Sequence, residues 1–97
     1  MDIFKRSSEI VVDKKRQLRC GMKAHWFLKK EYKLSFAGMG EVLGNPDNIA
    51  DVCFYLHALL ITDDSSLKLD DIFNLVDNYG LDVFLKGVTD LFNEGSV

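Results

Sequence analysis

The sequence predicts a mainly α fold: a small helical domain of four to five helices with a short N-terminal β-hairpin. Apolar residues recur every three or four positions from Leu69 to Phe92, which is the spacing of a helix face. Strand-like runs occur only before Gly21. The length, 97 residues with 47% hydrophobic and one Pro, accommodates a single domain spanning 1–97, with a hairpin at 9–20, a helical body at 21–92 and a flexible tail at 93–97. A chain of this size buries only about two-thirds of its unfolded surface, so assembly with a partner is expected to add stability.

Glu9–Val12 and Gln17–Cys20 are short runs rich in Ile, Val and Leu, separated by the polar stretch Asp13-Lys14-Lys15-Arg16. They read as the two strands of the hairpin and its turn. Gly21 breaks the second strand, and Met22–Lys33 reads as the first helix. Met22, His25, Leu28 and Tyr32 form its apolar stripe, with Trp26 and Phe27 off it. Ser35–Leu43 has helical spacing but carries Gly38 and Gly40, each costing about 1 kcal/mol relative to Ala, and predicts a short or frayed helix. Asn45-Pro46-Asp47 then supplies an N-cap, a first-turn proline and a charge suited to the helix dipole.

The helix expected from Pro46 to Thr62 is the most apolar element. Ile49, Val52, Cys53, Leu56, Leu59 and Leu60 make one stripe, and Phe54, Ala58 and Ile61 a second on the far side. Such a helix must be covered twice, as the centre of the fold or as half of an interface. After the polar link Asp63–Ser66, a helix built on Leu69, Ile72, Phe73, Val76 and Tyr79 ends at Gly80 as a left-handed cap. A last helix follows on Leu81, Phe84, Leu85, Val88, Leu91 and Phe92, with Gly87 as its weak point.

Charge is strongly segregated. Residues 1–33 hold ten Lys/Arg against four Asp/Glu, a net of +6, whereas residues 34–97 carry a net of −9. The basic segment is expected to dock on acidic helices, within the chain or on a neighbouring copy, giving a homo-oligomer that weakens with salt. Nucleic acid is a less favoured partner, because the acidic two-thirds opposes it. No run of 18 apolar residues occurs, so no membrane association is expected, and the N-terminus lacks a signal-like apolar stretch, so a cytosolic protein is expected.

The residues that catalysis or metal binding would need are sparse. Cys20, His25, Cys53 and His57 are the only cysteines and histidines, and Cys53 and His57 stand four apart on one helix. Zinc is nevertheless not expected, since Cys20 and His25 lack compact ligand spacing. The preferred reading is two buried thiols, a core-stripe His25 and a surface His57. Burial raises a thiol's pKa and makes it inert, which argues against a cysteine nucleophile. Gly38-Met39-Gly40-Glu41-Val42-Leu43-Gly44 has its third glycine one place late for a dinucleotide loop and follows no buried strand. Asp63-Asp64 lacks calcium-loop spacing, and Asp70-Asp71 suits a helix N-terminus. No enzyme and no cofactor are expected.

Three segments carry a family resemblance. Leu18-Arg19-Cys20-Gly21-Met22-Lys23-Ala24 resembles a strand ending in a Leu-Arg-Phe-Gly-Met type sequence before a first helix. Ile49–Leu59 resembles an apolar helix ending in an Ala-Gly-Leu or Ala-Ala-Leu type sequence. Leu69–Leu81 resembles an acidic helix followed by Tyr-Gly and a closing helix. In this order, over about 80 residues, the chain resembles the tail assembly chaperones of long-tailed, non-contractile bacteriophages. It departs from them at Lys33, where the family often has a helix-ending glycine, at Lys68, which replaces a Thr or Ser cap, and at His57.

The resemblance implies a non-enzymatic protein of the host cell cytoplasm, absent from the mature virion, that binds the tape measure protein and helps recruit tail tube protein. Family members are commonly made in a short and a longer, frameshifted form, and this chain would match the short one. The alternative is a small helical adaptor or a nucleic-acid-binding regulatory module using the basic N-terminal segment. For the partner surface, the residues expected to protrude are Trp26 and Phe27 first, and Phe54 and Ile61 second.

Overall fold

The computed structural model describes residues 7–44 and 49–94, with the side chains of 43–44 and 92–94 excepted. Strands β1 (Ser7–Val11) and β2 (Lys15–Arg19) pair antiparallel, with Ser7 opposite Arg19 and Val11 opposite Lys15. Helices α1 (Met22–Tyr32), α2 (Met39–Gly44), α3 (Ile49–Leu60), α4 (Leu69–Tyr79) and α5 (Leu81–Glu94) follow, and a single 3-10 turn over Phe36–Gly38 leads into α2. The expected fold class, mainly α with an N-terminal hairpin, is the one observed.

The hairpin begins and turns earlier than its apolar run suggests. Ser8, Ile10, Arg16 and Leu18 point inward, so Val11 faces solvent and Arg16 belongs to β2 rather than to the turn. Arg16 tolerates burial because Asp13 and Asp64 both reach its guanidinium, at 2.8 and 3.3 Å. The Gln17 backbone N–H also donates to Asp63, at 3.3 Å. The acidic link after α3 therefore fastens the hairpin.

Helix α3 is the centre of the fold, packed by α1, α2, α4 and β2, while the hairpin also rests on α5. Both of its predicted stripes are covered: Val52, Cys53 and every residue from Tyr55 to Ile61 are buried. The exceptions are Ile49, exposed at the start of the helix, and Phe54, which is half-buried. The N-cap expected at Asn45-Pro46-Asp47 lies outside the described residues.

Helix α1 is rotated relative to its predicted stripe. Ala24 and Leu28 are buried, Phe27 and Tyr32 are half-buried, and Met22 and His25 face out. Ala24, Phe27, Leu28 and Tyr32 also recur at helical spacing, and this stripe leaves Lys29, Lys30 and Lys33 in water. Lys33 closes the helix in the left-handed conformation, φ 59° and ψ 30°.

Before α4, the Lys68 N–H donates to the Asp71 carboxylate at 2.9 Å, the half of a capping box in which the third helical residue satisfies the N-cap's own N–H. Between α4 and α5, Gly80 has φ 89° and ψ 145°, a positive φ but not the helical left-handed cap that was expected. Of the stripe expected for α4, Ile72 is buried but Phe73 is exposed, and Leu75, outside that stripe, is buried. Helix α5 runs to Glu94, two residues beyond its expected end.

Candidate functional site

The polar groups inside the domain are engaged with one another. The His57 ring lies between α1 and the α3–α4 link: its Nε2 is 2.9 Å from the Leu67 carbonyl and its Nδ1 is 2.7 Å from the Tyr32 hydroxyl. A carbonyl only accepts, so Nε2 carries the proton and the Tyr32 O–H donates to Nδ1. Both ring nitrogens are occupied when the ring is neutral, with none to offer a metal or an incoming substrate. The two histidines thus exchange the places expected of them: His57 is buried, while His25 is exposed and lies edge-on to Phe36.

Burial pushes the Cys53 thiol and the Tyr55 and Tyr32 phenols above their ordinary pKa values, with smaller contributions from Asp51 at Tyr55 and from Glu31 and Cys53 at Tyr32. The Tyr55 hydroxyl donates to the Ser35 carbonyl at 2.9 Å. Among the described residues, no group of three or more His, Cys, Asp or Glu side chains is placed to hold a metal ion. No described helix is long and apolar enough to cross a membrane.

On the surface, the four expected partner residues separate. Ile61 is 6% exposed and belongs to the interior, so it offers no contact to a partner, contrary to expectation. Phe54 is half-buried, stacked on Tyr32 with ring centroids 4.3 Å apart. Phe27 is half-buried, edge-on to His57 at 4.8 Å. These two rings belong to one aromatic cluster joining α1 to α3, where each such pair adds about 0.5–1.5 kcal/mol beyond its buried area.

Trp26 alone stands clear, at 60% exposure, with Lys30 Nζ 4.6 Å from its ring centre. Met22 beside it is 79% exposed. Together with His25, Lys29, Leu34 and Ser35 they line an open groove of about 350 Å³. Met22, Trp26 and Lys29 fall on one line of α1, opposite the helix's buried face. The groove thus offers a thioether and an indole bordered by ammonium groups. Sequence reasoning found Trp26 but assigned Met22 to the core, because three-and-four spacing fits two overlapping stripes in α1.

A second exposed aromatic lies on α4. Phe73 is 39% exposed, and Asp70, Asn74 and Asp77, all exposed, share its helix face. The sequence reading placed it in the apolar stripe of this helix; the signal against that was the pair of acids three before and four after it. Compared with family models, curated proteins and solved structures, the chain matches none.

Proposed function

We propose that this chain is a non-enzymatic tail assembly chaperone of a long-tailed, non-contractile bacteriophage. In the host cytoplasm it binds the tape measure protein through the groove around Trp26 and, through a longer frameshifted form, helps recruit tail tube subunits. The observation that carries the reading is the exposure of Met22 and Trp26 side by side on a helix whose remaining outward residues are charged or polar. A chaperone needs apolar surface beyond its own core, and an exposed indole is a common anchor of binding energy. The order of the three resembling segments supports the family.

The test is co-expression with the tape measure protein encoded alongside it. Trp26→Ala removes an exposed ring, so the circular dichroism spectrum and melting temperature should stay unchanged while pull-down of the client is lost. Undiminished pull-down by a folded Trp26→Ala protein overturns the site. Phe27→Ala is the core control and should destabilise the domain.

A nucleic-acid-binding reading draws on the same helix, since Lys23, Lys29 and Lys30 surround an exposed Trp26. It requires retention on a DNA column at low salt and release by Lys29→Glu. The chaperone reading requires no retention.

A further inference from the structure

The hairpin has two edges, and the described residues close only one of them. The Gln17 N–H points away from β1 and donates to Asp63, so the acidic link covers the β2 edge. Bonding alternates along an antiparallel pair, which fixes the direction of the remaining groups. Gln17 stands opposite Glu9, so theirs is a non-hydrogen-bonded pair, and Ser8 and Ile10 share the ladder bonds with Leu18 and Arg16. The N–H and C=O groups of Glu9 and Val11 therefore point out along the other edge, where no hydrogen bond from the described residues meets them. Both residues are exposed. An open edge of this kind is a template for a further strand.

Helix α5 supplies a floor beside this edge. Helix α3 packs on β2, and α5 chiefly on β1, so β1 is the outer strand of the hairpin. On α5, Phe84, Val88 and Leu91 are buried to one side of Gly87, the residue that meets the hairpin. Val83, half-buried, and Lys86 and Asp90, exposed, fall to the other side. That flank runs under the line an added strand would follow.

We propose that the β1 edge takes up an extended segment of a partner protein as a third strand, with Lys or Arg beside Glu9 and an apolar residue over Val83. Main-chain bonds to Glu9 and Val11 supply the affinity, and the flanking side chains the choice of partner. The occupant is basic because the carboxylates of Glu9 and Asp90 border the edge against the single ammonium of Lys86. The ion pairs among the described residues are those of Arg16, which leaves Glu9, at the centre of the strand, open to a cation. A second copy of β1 is a poor occupant, since symmetric pairing sets Glu9 against Glu9. This surface is separate from the Trp26 groove, and the inference does not rest on the chaperone reading.

The probe is an end-blocked peptide of about seven residues alternating Lys and Val, long enough to span the five-residue β1, with its Glu-for-Lys counterpart as control. Amide exchange is followed by NMR on the full chain. In the free protein Ile10 should exchange slowly and Glu9 and Val11 fast; with the Lys-Val peptide, Glu9 and Val11 should become protected. By fluorescence anisotropy the Glu-Val peptide should bind about tenfold more weakly or worse. Glu9→Pro removes an outward N–H and leaves the ladder bonds of β1 in place, so it should abolish binding. Glu9→Lys keeps that N–H and should weaken binding about tenfold. Both variants should keep the wild-type circular dichroism spectrum, and if Glu9→Pro unfolds, Glu9→Lys carries the test.

Slow exchange of Glu9 and Val11 in the free chain means that the edge is already closed and overturns the inference. Absence of binding up to about 1 mM peptide overturns it as well. So does binding that leaves these two amides unprotected, equal affinity for the two peptides, or wild-type affinity in Glu9→Lys.

Discussion

Gly87 is a position where local propensity and tertiary packing demand opposite results from the same substitution. It lies in the interior of α5, where Ala in place of Gly favours the helix by about 1 kcal/mol. A Cβ there would stand 2.5 Å from Ile10 Cγ2 and 2.7 Å from Leu18 Cδ1. Carbon atoms prefer about 3.5–4.0 Å, so each methyl must retreat by about 1 Å. Neither has room: Ile10 is 5% exposed and Leu18 fully buried, on paired strands that must shift together. Overpacking of this kind costs about 1–3 kcal/mol, which exceeds the propensity gain. Gly87→Ala should therefore destabilise by about 1 kcal/mol net, lowering the melting temperature by about 4–8 °C for a domain of this size. A Cβ at Gly40, in α2, would meet nothing within 4 Å, so this position serves as the control, and Gly40→Ala should stabilise by up to about 1 kcal/mol. Urea unfolding followed by circular dichroism gives both midpoints. If Gly87→Ala raises the midpoint as Gly40→Ala does, the account of hairpin packing on α5 is wrong.

Replacing His57 by Phe keeps a ring but leaves the buried Leu67 carbonyl without its donor and the Tyr32 hydroxyl without its acceptor; the expected loss is about 2–4 kcal/mol in chemical denaturation, against about 1 kcal/mol for Tyr32→Phe. Hydrogen bonding from Arg16 holds the Asp13 carboxyl below its ordinary value of 3.8, and Ser66, with a smaller contribution from Arg16, does the same for Asp64. Depressed carboxylate pKa values make this contribution complete at neutral pH and remove it as pH falls through them, below about 4. Melting temperatures at pH 7 and pH 3 should therefore drop less in Asp13→Asn with Asp64→Asn than in the wild type, although that variant starts lower because it leaves the buried Arg16 unpaired.

How far the sequence could be read depended on how many patterns each segment satisfied. Helix α3 was legible because its apolar residues run on two sides, which admits only a covered position. Helix α1 was ambiguous: Met22-His25-Leu28-Tyr32 and Ala24-Phe27-Leu28-Tyr32 both fit a helical period, and only packing against α3 decides between them. Arg16 was placed in the turn because an isolated cation does not suit an inward strand position; its partner Asp64 lies 48 residues away and cannot be seen locally. His57 was misjudged for a similar reason, since its two partners come from α1 and from the link before α4. Trp26 was legible because the lysines around it require water and carry the ring out with them.

The close approach of Ile10 and Leu18 to Gly87 also bears on the order in which the molecule is built. Nearly the whole chain intervenes between these contacts, whereas α3 meets α2 and α4 through short connections. Closing the longer loop carries the larger entropic penalty, and that penalty falls before any of its contacts are made. The helical centre therefore has a head start, and the hairpin joins α5 as a late, cooperative closure. In the native state the same seam is the expected place for the molecule to open, with α5 parting from the hairpin while α3 and the elements packed on it hold.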